Sequence, residues 1–147
     1  MKPILVGESN PYGSDPYYAL YPAPDGCSGH RLCCLILGMC RKDYLEAFDR
    51  VNLCEGPWKI GKARDRATEL FAASPAKLLL CGQKVSTAFG VPFTPFQKHG
   101  ESLLILPHPS GLCRLWAEAG SFDRARAAVA GFLPGLAELI GRSARGR

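Results

Sequence analysis

Four short apolar runs in this chain are each accompanied by polar side chains able to do chemistry. Glu8 and Asn10 follow the first run, Asn52 lies in the second, Lys84 follows the third and His108 follows the fourth. A carboxylate can polarise water, and a carboxamide offers both a hydrogen-bond donor and an acceptor. A neutral imidazole can donate a hydrogen bond to an oxygen on which negative charge develops. These residue types suit a polar ligand, provided that the fold brings them together.

The apolar runs themselves predict the scaffold. They are Pro3–Val6, Arg50–Cys54, Lys77–Cys81 and Ser102–Leu106. Each run is short enough for a buried strand, and continuous apolarity is typical of a parallel sheet covered on both faces. Ligands of open α/β sheets bind beyond the carboxyl ends of the strands. We therefore expect one crevice to receive Asn10, Asn52, Gln83 or Lys84, and His108.

Helical patterns fall between the predicted strands. They cover Gly29–Cys40 with Ser28 as its cap, Lys42–Phe48, Gly61–Ala73, the short Val85–Phe89, and Phe122–Ile140 after Ser121. Pro134 should kink or break the last of these helices. The alternation predicts an α/β fold of three layers, α/β/α, around a short four-stranded, mainly parallel sheet. Residues 1–147 are expected to form one domain, with 142–147 as a flexible basic tail.

Two long segments, Gly7–Cys27 and Gly90–Gly100, show neither pattern. The first holds four tyrosines and four prolines and follows the first predicted strand directly. Loops of this length in a small domain are usually functional or mobile. Gly7–Cys27 is therefore a candidate wall of the predicted crevice.

Composition limits the function classes without selecting one. The formal net charge of +5 permits a polyanionic partner but does not require one. The seven cysteines are odd in number and no export signal is evident, so we expect reduced, mostly buried thiols. No apolar run approaches the roughly 20 residues of a membrane helix. We expect a cytoplasmic, monomeric protein with no membrane partner.

Four motifs then suggest a family. They are Val6-Gly-Glu-Ser-Asn-Pro-Tyr-Gly13, Asp25-Gly-Cys-Ser-Gly-His-Arg-Leu32, Lys77-Leu-Leu-Leu-Cys-Gly82 and Leu106-Pro-His-Pro-Ser-Gly-Leu-Cys-Arg114. In these motifs, which occur in family order, the chain resembles the uracil-DNA glycosylase superfamily and is most similar to its mismatch-specific uracil/thymine branch. The resemblance implies a monofunctional DNA glycosylase. Such an enzyme flips uracil or another damaged or modified base out of DNA and hydrolyses its N-glycosidic bond, leaving an abasic site.

The resemblance also implies catalytic roles. His108 corresponds to the residue that donates to the base oxygen, and Asn10 to the residue that orients the attacking water. Because Asn10 is neutral, the resemblance implies slower chemistry than a carboxylate would give. Glu8 is a rival for the water position, since another branch has Glu directly after the same Gly, and the register stays open. Without the motifs, His108 could be a helix-cap or solvent-facing residue, and Asn10–Pro11 a simple turn.

Three further residues are implied to bind the flipped base. Asn52 corresponds to the residue that reads one base edge, and Tyr12 to the side chain that crowds the uracil C5 position. The family's stacking Phe is missing, because its position falls on Pro24 or Asp25. Tyr21 is then the nearest preceding aromatic residue. The alternatives are a turn role for Asn52 and loop packing for the tyrosines.

The remaining implied contacts are with DNA, the expected partner. Ser28, Lys84 and Ser110 would hold phosphates, Leu112 would fill the gap left by the flipped base, and Arg114 would touch the opposite strand. Leu112 could instead belong to the core, and Lys84 could be a solvated charge.

We expect no cofactor and no metal. Some branches hold an iron–sulfur cluster through four cysteines whose first pair precedes strand one, where this chain has Met1–Lys2. Two other function classes stay open on the same fold. One is a catalytically weak or inactive module that binds a base, DNA or a protein. The other is an enzyme that acts on free nucleosides or nucleotides.

Overall fold

A five-stranded sheet forms the centre of the molecule in a computed structural model that describes residues 1–10, 13, 15–73 and 75–145. Its strands are β1 Ile4–Ser9, β2 Asp49–Cys54, β3 Leu78–Cys81, β4 Lys98–His99 and β5 Leu103–Leu106. The strand order is β2-β1-β3-β5-β4, with β4 antiparallel to β5 and the other pairings parallel. The α/β class is thus confirmed, whereas the sheet is mixed and has five strands instead of four.

Helices cover both faces of this sheet. They are α1 Ser28–His30, α2 Arg41–Ala47, α3 Ile60–Ala73, α4 Gln83–Ala88, α5 Ser121–Phe132 and α6 Arg142–Arg145. A π-helix, Arg31–Ile36, continues α1, and short 3-10 turns occur at Pro16–Tyr18, Arg114–Ala117 and Pro134–Leu136. Within the described part of the chain, no helix combines the length and apolar character that a bilayer span requires.

The two faces of the sheet carry separate hydrophobic clusters. Leu5, Leu79 and Leu104 pack with the α1 extension, α2 and α5, whereas Val6 and Leu80 pack with α3 and α4. The side chains of β3 and β5 are buried throughout. This is the arrangement that continuous apolar strands predict, because both faces of such a strand must be covered.

The additional strand, β4, lies in a segment that the sequence predicts as a loop. Lys98 pairs with Leu104 and His99 with Leu103, at one edge of the sheet. Both residues of β4 are exposed. A two-residue edge strand with polar, solvent-facing side chains has no apolar run from which it could be predicted.

The first helix starts and ends differently from the prediction. The sulfur of Cys27 accepts a hydrogen bond from the His30 N–H at 3.4 Å, so Cys27 is the cap and Ser28 is the first helical residue. The helical segment ends at Ile36, short of the predicted Cys40, and Gly38 follows with φ of +62°. A left-handed glycine just past a helix end is a common terminator.

The C-terminal elements confirm one expectation and revise another. α5 ends at Phe132, and Pro134 starts a separate 3-10 turn, as a helix-breaking proline should. Arg142–Arg145, expected within a flexible tail, forms the short helix α6. The Ser143 N–H donates to the Gly38 oxygen at 2.9 Å, which ties this helix to the turn after the first helical segment.

Candidate functional site

A pocket of about 680 Å³ opens at the carboxyl ends of the parallel strands. Glu8 from β1, Asn52 from β2 and Cys81 from β3 line it, together with His108 just after β5. The tyrosine-rich segment between β1 and α1 forms another wall. The position is the one that open α/β sheets use for ligands, and the volume is typical of small-molecule sites.

The backbone around His108 determines which ring nitrogen faces the pocket. The Ser110 N–H donates to Nδ1 of His108 at 3.1 Å, so Nδ1 acts as an acceptor and carries no proton. A neutral ring must then carry its proton on Nε2. The Trp116 indole N–H also donates to the His108 carbonyl oxygen, at 2.7 Å. His108 is therefore a positioned hydrogen-bond donor.

Electrostatics keep the His108 ring neutral. Burial lowers its pKa from the ordinary value, the Glu8 carboxylate raises it, and Lys84 lowers it again. The net shift is downward, because the first of these effects is the largest. A neutral imidazole is the form that the hydrogen bond from Ser110 requires.

Glu8 is the acidic side chain that faces this histidine. Its Oε2 lies 3.7 Å from Nε2 of His108, and both side chains are largely shielded from solvent. Gly82, at the end of β3, leaves room for His108, since a Cβ there would lie 3.2 Å from the His108 Cβ. A carboxylate and an imidazole donor thus share one pocket.

Asn52 lies across the backbone of Gly7, its register partner on β1. A Cβ on Gly7 would meet the Asn52 Oδ1 at 2.5 Å, so only glycine leaves room for this carboxamide. Asn52 also lines a neighbouring groove of about 460 Å³ beside α3. Its amide can therefore present a donor and an acceptor to a ligand in the main pocket.

Asn10 and His108 line different cavities. Asn10 lines the neighbouring groove beside α3, where its Nδ2 donates to the Asp15 carbonyl oxygen at 3.2 Å. The strand β1 extends through Ser9, three residues beyond the predicted Val6. Because of this extension Glu8 belongs to the sheet, and it is Glu8 that faces His108. Pro11 and Tyr12, of which Tyr12 was expected to contact the base, lie outside the described residues.

Aromatic rings form the outer wall of the pocket. Tyr17, Tyr18 and Tyr21 pack as a trio with centroid separations of 5.2–5.4 Å, and Tyr18 and Tyr21 line the pocket. Tyr21 was a predicted base contact; Tyr18 was considered only as loop packing. The adjacent tyrosines in a long loop were the available signal, but no spacing rule says which ring turns inward.

The tyrosine segment is held in place by backbone contacts. The Tyr44 hydroxyl, on a fully buried side chain, donates to the Leu20 oxygen at 2.7 Å. The Arg50 guanidinium donates to the carbonyl oxygens of Tyr17 and Ala19 at 3.0 and 2.9 Å. These contacts give the loop a fixed shape, which a binding wall requires. Sequence reasoning missed the supporting roles of Tyr44 and Arg50, which depend on contacts distant in sequence.

The predicted DNA contacts divide into two groups. Ser28 and Ser110 line the pocket, and the Ser110 Oγ accepts the Leu112 N–H at 3.1 Å. Lys84, Leu112 and Arg114 are exposed, and Leu112 is 92% exposed, so it does not belong to the core. An apolar side chain held outward on a hydrogen-bonded loop is available to a partner.

Cys27 and Cys81 are among the residues that line this pocket. Burial raises the pKa of the Cys81 thiol to about 12, with a smaller contribution from the Glu8 charge. A thiol of that pKa is almost wholly protonated near neutral pH and is a poor nucleophile. In the described segments, no group of three or more His, Cys, Asp or Glu side chains is arranged to hold a metal.

Comparisons with protein families, with curated proteins and with solved structures find no match to this chain.

Proposed function

We propose that this protein is a DNA glycosylase that flips a base into the pocket and hydrolyses its N-glycosidic bond. One observation carries the proposal: a positioned imidazole donor and a carboxylate face each other 3.7 Å apart in a tyrosine-walled pocket at the strand ends. Base removal needs a donor for the departing base and a group that activates water. His108 and Glu8 can supply these two functions.

In the proposed reaction, His108 donates its Nε2 proton in a hydrogen bond to a carbonyl oxygen of the base. Glu8 polarises the attacking water and stabilises the positive charge that develops on the sugar. Asn52 reads one edge of the base through its carboxamide. Tyr18 and Tyr21 replace the missing stacking phenylalanine, and stacking of this kind contributes about 1–3 kcal/mol per base.

Glu8 is favoured over Asn10 for the water-activating position. Glu8 shares the pocket with His108, whereas the Asn10 side chain is directed into the groove beside α3. A carboxylate also stabilises a cationic sugar better than a neutral amide does. The slow chemistry implied by a neutral amide therefore need not apply.

The DNA would approach over the loop that follows His108. Leu112 projects outward there and suits the role of a plug for the gap left in the base stack. Lys84 and Arg114 are exposed cations available to phosphates, and the net charge of +5 favours a polyanion. These contacts position DNA but carry no base specificity.

Incubation with base-modified duplexes, followed by alkaline cleavage of abasic sites, tests the proposal. The panel contains uracil, hypoxanthine, G·T and G·U mismatches and alkylated bases. Glu8→Gln and His108→Ala should each lower the excision rate by about 100-fold or more, because each removes a group that acts in the transition state. Asn10→Ala should have a smaller effect.

Glu55→Gln is the matched control, since Glu55 is an exposed carboxylate of the groove beside α3. Its excision rate should equal that of the wild type. If no base is excised and DNA binding is unchanged in Glu8→Gln and His108→Ala, the glycosylase proposal is wrong. Excision from free nucleosides alone would identify the nucleoside enzyme instead.

A further inference from the structure

Among the described residues that line the pocket, formal charge is negative only. Of the described residues that line it, Glu8 is the only acidic one, and none is lysine or arginine. His108 is neutral, because burial lowers its pKa and its Nδ1 accepts the Ser110 N–H. Cations lie close to the lining without belonging to it. Arg31 donates to the carbonyl oxygen of Pro109 at 2.9 Å, Arg50 is bonded to backbone carbonyls and stacks on Tyr17 and Tyr21, and Lys84 lies near the Trp58 ring. Glu8 therefore carries the one formal charge among the described residues that line the pocket.

The aromatic wall has the same electrostatic preference. Tyr18 lines the pocket and contacts the other two tyrosines edge-on, at interplanar angles of 86° and 72°. The face of a tyrosine ring is electron-rich and attracts a positive charge. Because Arg50 already stacks on the Tyr21 ring, Tyr18 is the lining tyrosine that can present a face to a ligand. Glu8 and the Tyr18 ring in one pocket are the elements of a site for a cation with a flat ring.

The Glu8 carboxylate affects which kind of base is released most easily, because the charge of the departing base differs between bases. A base such as uracil departs as an anion and would develop its negative charge beside the Glu8 carboxylate. A base that is already cationic departs neutral: the C1′–N bond breaks and its electron pair cancels the charge of the ring. Water then adds to C1′ and releases its proton to Glu8 or to solvent. The cationic base avoids the repulsion that the anion must overcome.

We propose that the pocket selects positively charged, N-alkylated purine bases. The proposal rests on the glycosylase function and names its substrate class. The volume of about 680 Å³ leaves room for a two-ring base. An N7-alkylated guanine retains a carbonyl oxygen for the His108 donor. Its Watson–Crick edge also matches the donor and acceptor of Asn52.

Equilibrium binding tests the selection separately from the chemistry. The probes are two duplexes that differ at one nucleotide: 2′-fluoro-N7-methylguanosine, which is cationic and resists cleavage, and neutral 2′-fluoroguanosine. The wild type should bind the cationic probe about tenfold more tightly than the neutral one. Glu8→Gln, which keeps the shape of the side chain and removes its charge, should reduce this ratio to about one.

Two further variants separate the contribution of the Tyr18 ring to the binding ratio from a general effect of charge. Tyr18→Leu should lower the ratio by a few-fold, because it removes an aromatic face from an exposed position without disturbing the core. Glu55→Gln, in the groove beside α3, should leave the ratio unchanged. An equal loss of the ratio in Glu8→Gln and Glu55→Gln would show a general charge effect and overturn the proposal.

Excision rates complete the test. N7-methylguanine should be released faster than uracil from otherwise identical duplexes. Uracil excision without any preference for the cationic probe would overturn this inference and leave the glycosylase function intact. Cation-selective binding without release of any base would support the assigned pocket and overturn the glycosylase function. Equal affinity for both probes with no excision would overturn both.

Discussion

The chemistry of His108 depends on a hydrogen bond to its own loop. With the Ser110 N–H directed at Nδ1, a second proton on the ring would place two donors against each other. Burial adds to this cost because it disfavours the charged imidazolium. The conformation of the loop therefore favours neutral His108. Protonation of the ring should destabilise the folded protein.

This property predicts a specific dependence of stability on pH. The folded-state pKa of His108 lies below the ordinary value of about 6.5. As the pH falls below about 6.5, the unfolded chain binds the proton first, so stability decreases until the pH reaches the folded pKa. His108→Asn keeps an acceptor for Ser110 without titrating, and should lose less stability between about pH 7 and pH 5.

Urea unfolding at several pH values measures this difference, and NMR of the His108 ring should give a midpoint below about 6.5. His99→Asn is the control, because His99 is exposed on β4 and should leave the pH dependence unchanged. A His108 midpoint above 6.5 would show that the Glu8 carboxylate outweighs burial, contrary to this account.

At the scale of elements, the site depends on how closely α1 approaches the tyrosine segment. A Cβ on Gly29 would collide with the Tyr21 oxygen and lie 2.5 Å from the carbonyl carbon of Leu20. These are backbone atoms, which cannot move aside as a flexible side chain can. The glycine therefore fixes the distance between the start of the helix and the aromatic wall of the pocket.

Gly29→Ala should lower the free energy of unfolding by about 1–3 kcal/mol, as overpacking of a buried site does. It should also weaken ligand binding, because the tyrosine segment must shift. Gly61→Ala, in α3, is the matched control, since nothing lies within 4 Å of its Cβ position. Alanine there should be neutral or stabilise by up to about 1 kcal/mol.

Denaturant unfolding measures the free energy of unfolding of each variant. Titration with a DNA duplex measures its binding affinity. Equal stability of Gly29→Ala and Gly61→Ala would show that α1 and the tyrosine segment are not packed as described.

For the molecule as a whole, the two hydrophobic clusters bury several of the seven free cysteines of the chain. Cys33, Cys54 and Cys81 are buried, whereas Cys40 is exposed at the start of α2. Burial raises the pKa of the Cys33 thiol strongly and that of Cys81 to about 12. The reactivity of these thiols should therefore report the opening of the core.

Iodoacetamide at pH 8 should label Cys40 first in the native protein, because its thiol is accessible. Cys33, Cys54 and Cys81 should react slower by a factor on the order of 1,000 or more, since a buried site reacts only when the structure opens. Peptide mapping by mass spectrometry measures each rate. Cys40→Ser should remove the fast phase alone, and fast native labelling of Cys81 would contradict the buried core.

The α/β class and the positions of four of the five strands were determined largely by the sequence alone. Runs such as Lys77–Cys81 are too apolar to be exposed and too short for most helices, so a buried parallel strand is the solution they favour. Pro134 likewise stops α5, because its ring cannot continue a helix. Such local and compositional constraints act without knowledge of the rest of the fold.

Only the tertiary structure decided which polar groups share a pocket. The extension of β1 through Ser9 brings Glu8 to His108 and sends Asn10 into another groove. The sequence favoured Asn10 and left Glu8 as its rival, because a shift of one or two residues at a strand end changes which side chain faces the site. The inward position of Tyr18 and the edge strand β4 depend in the same way on contacts between residues far apart in the chain.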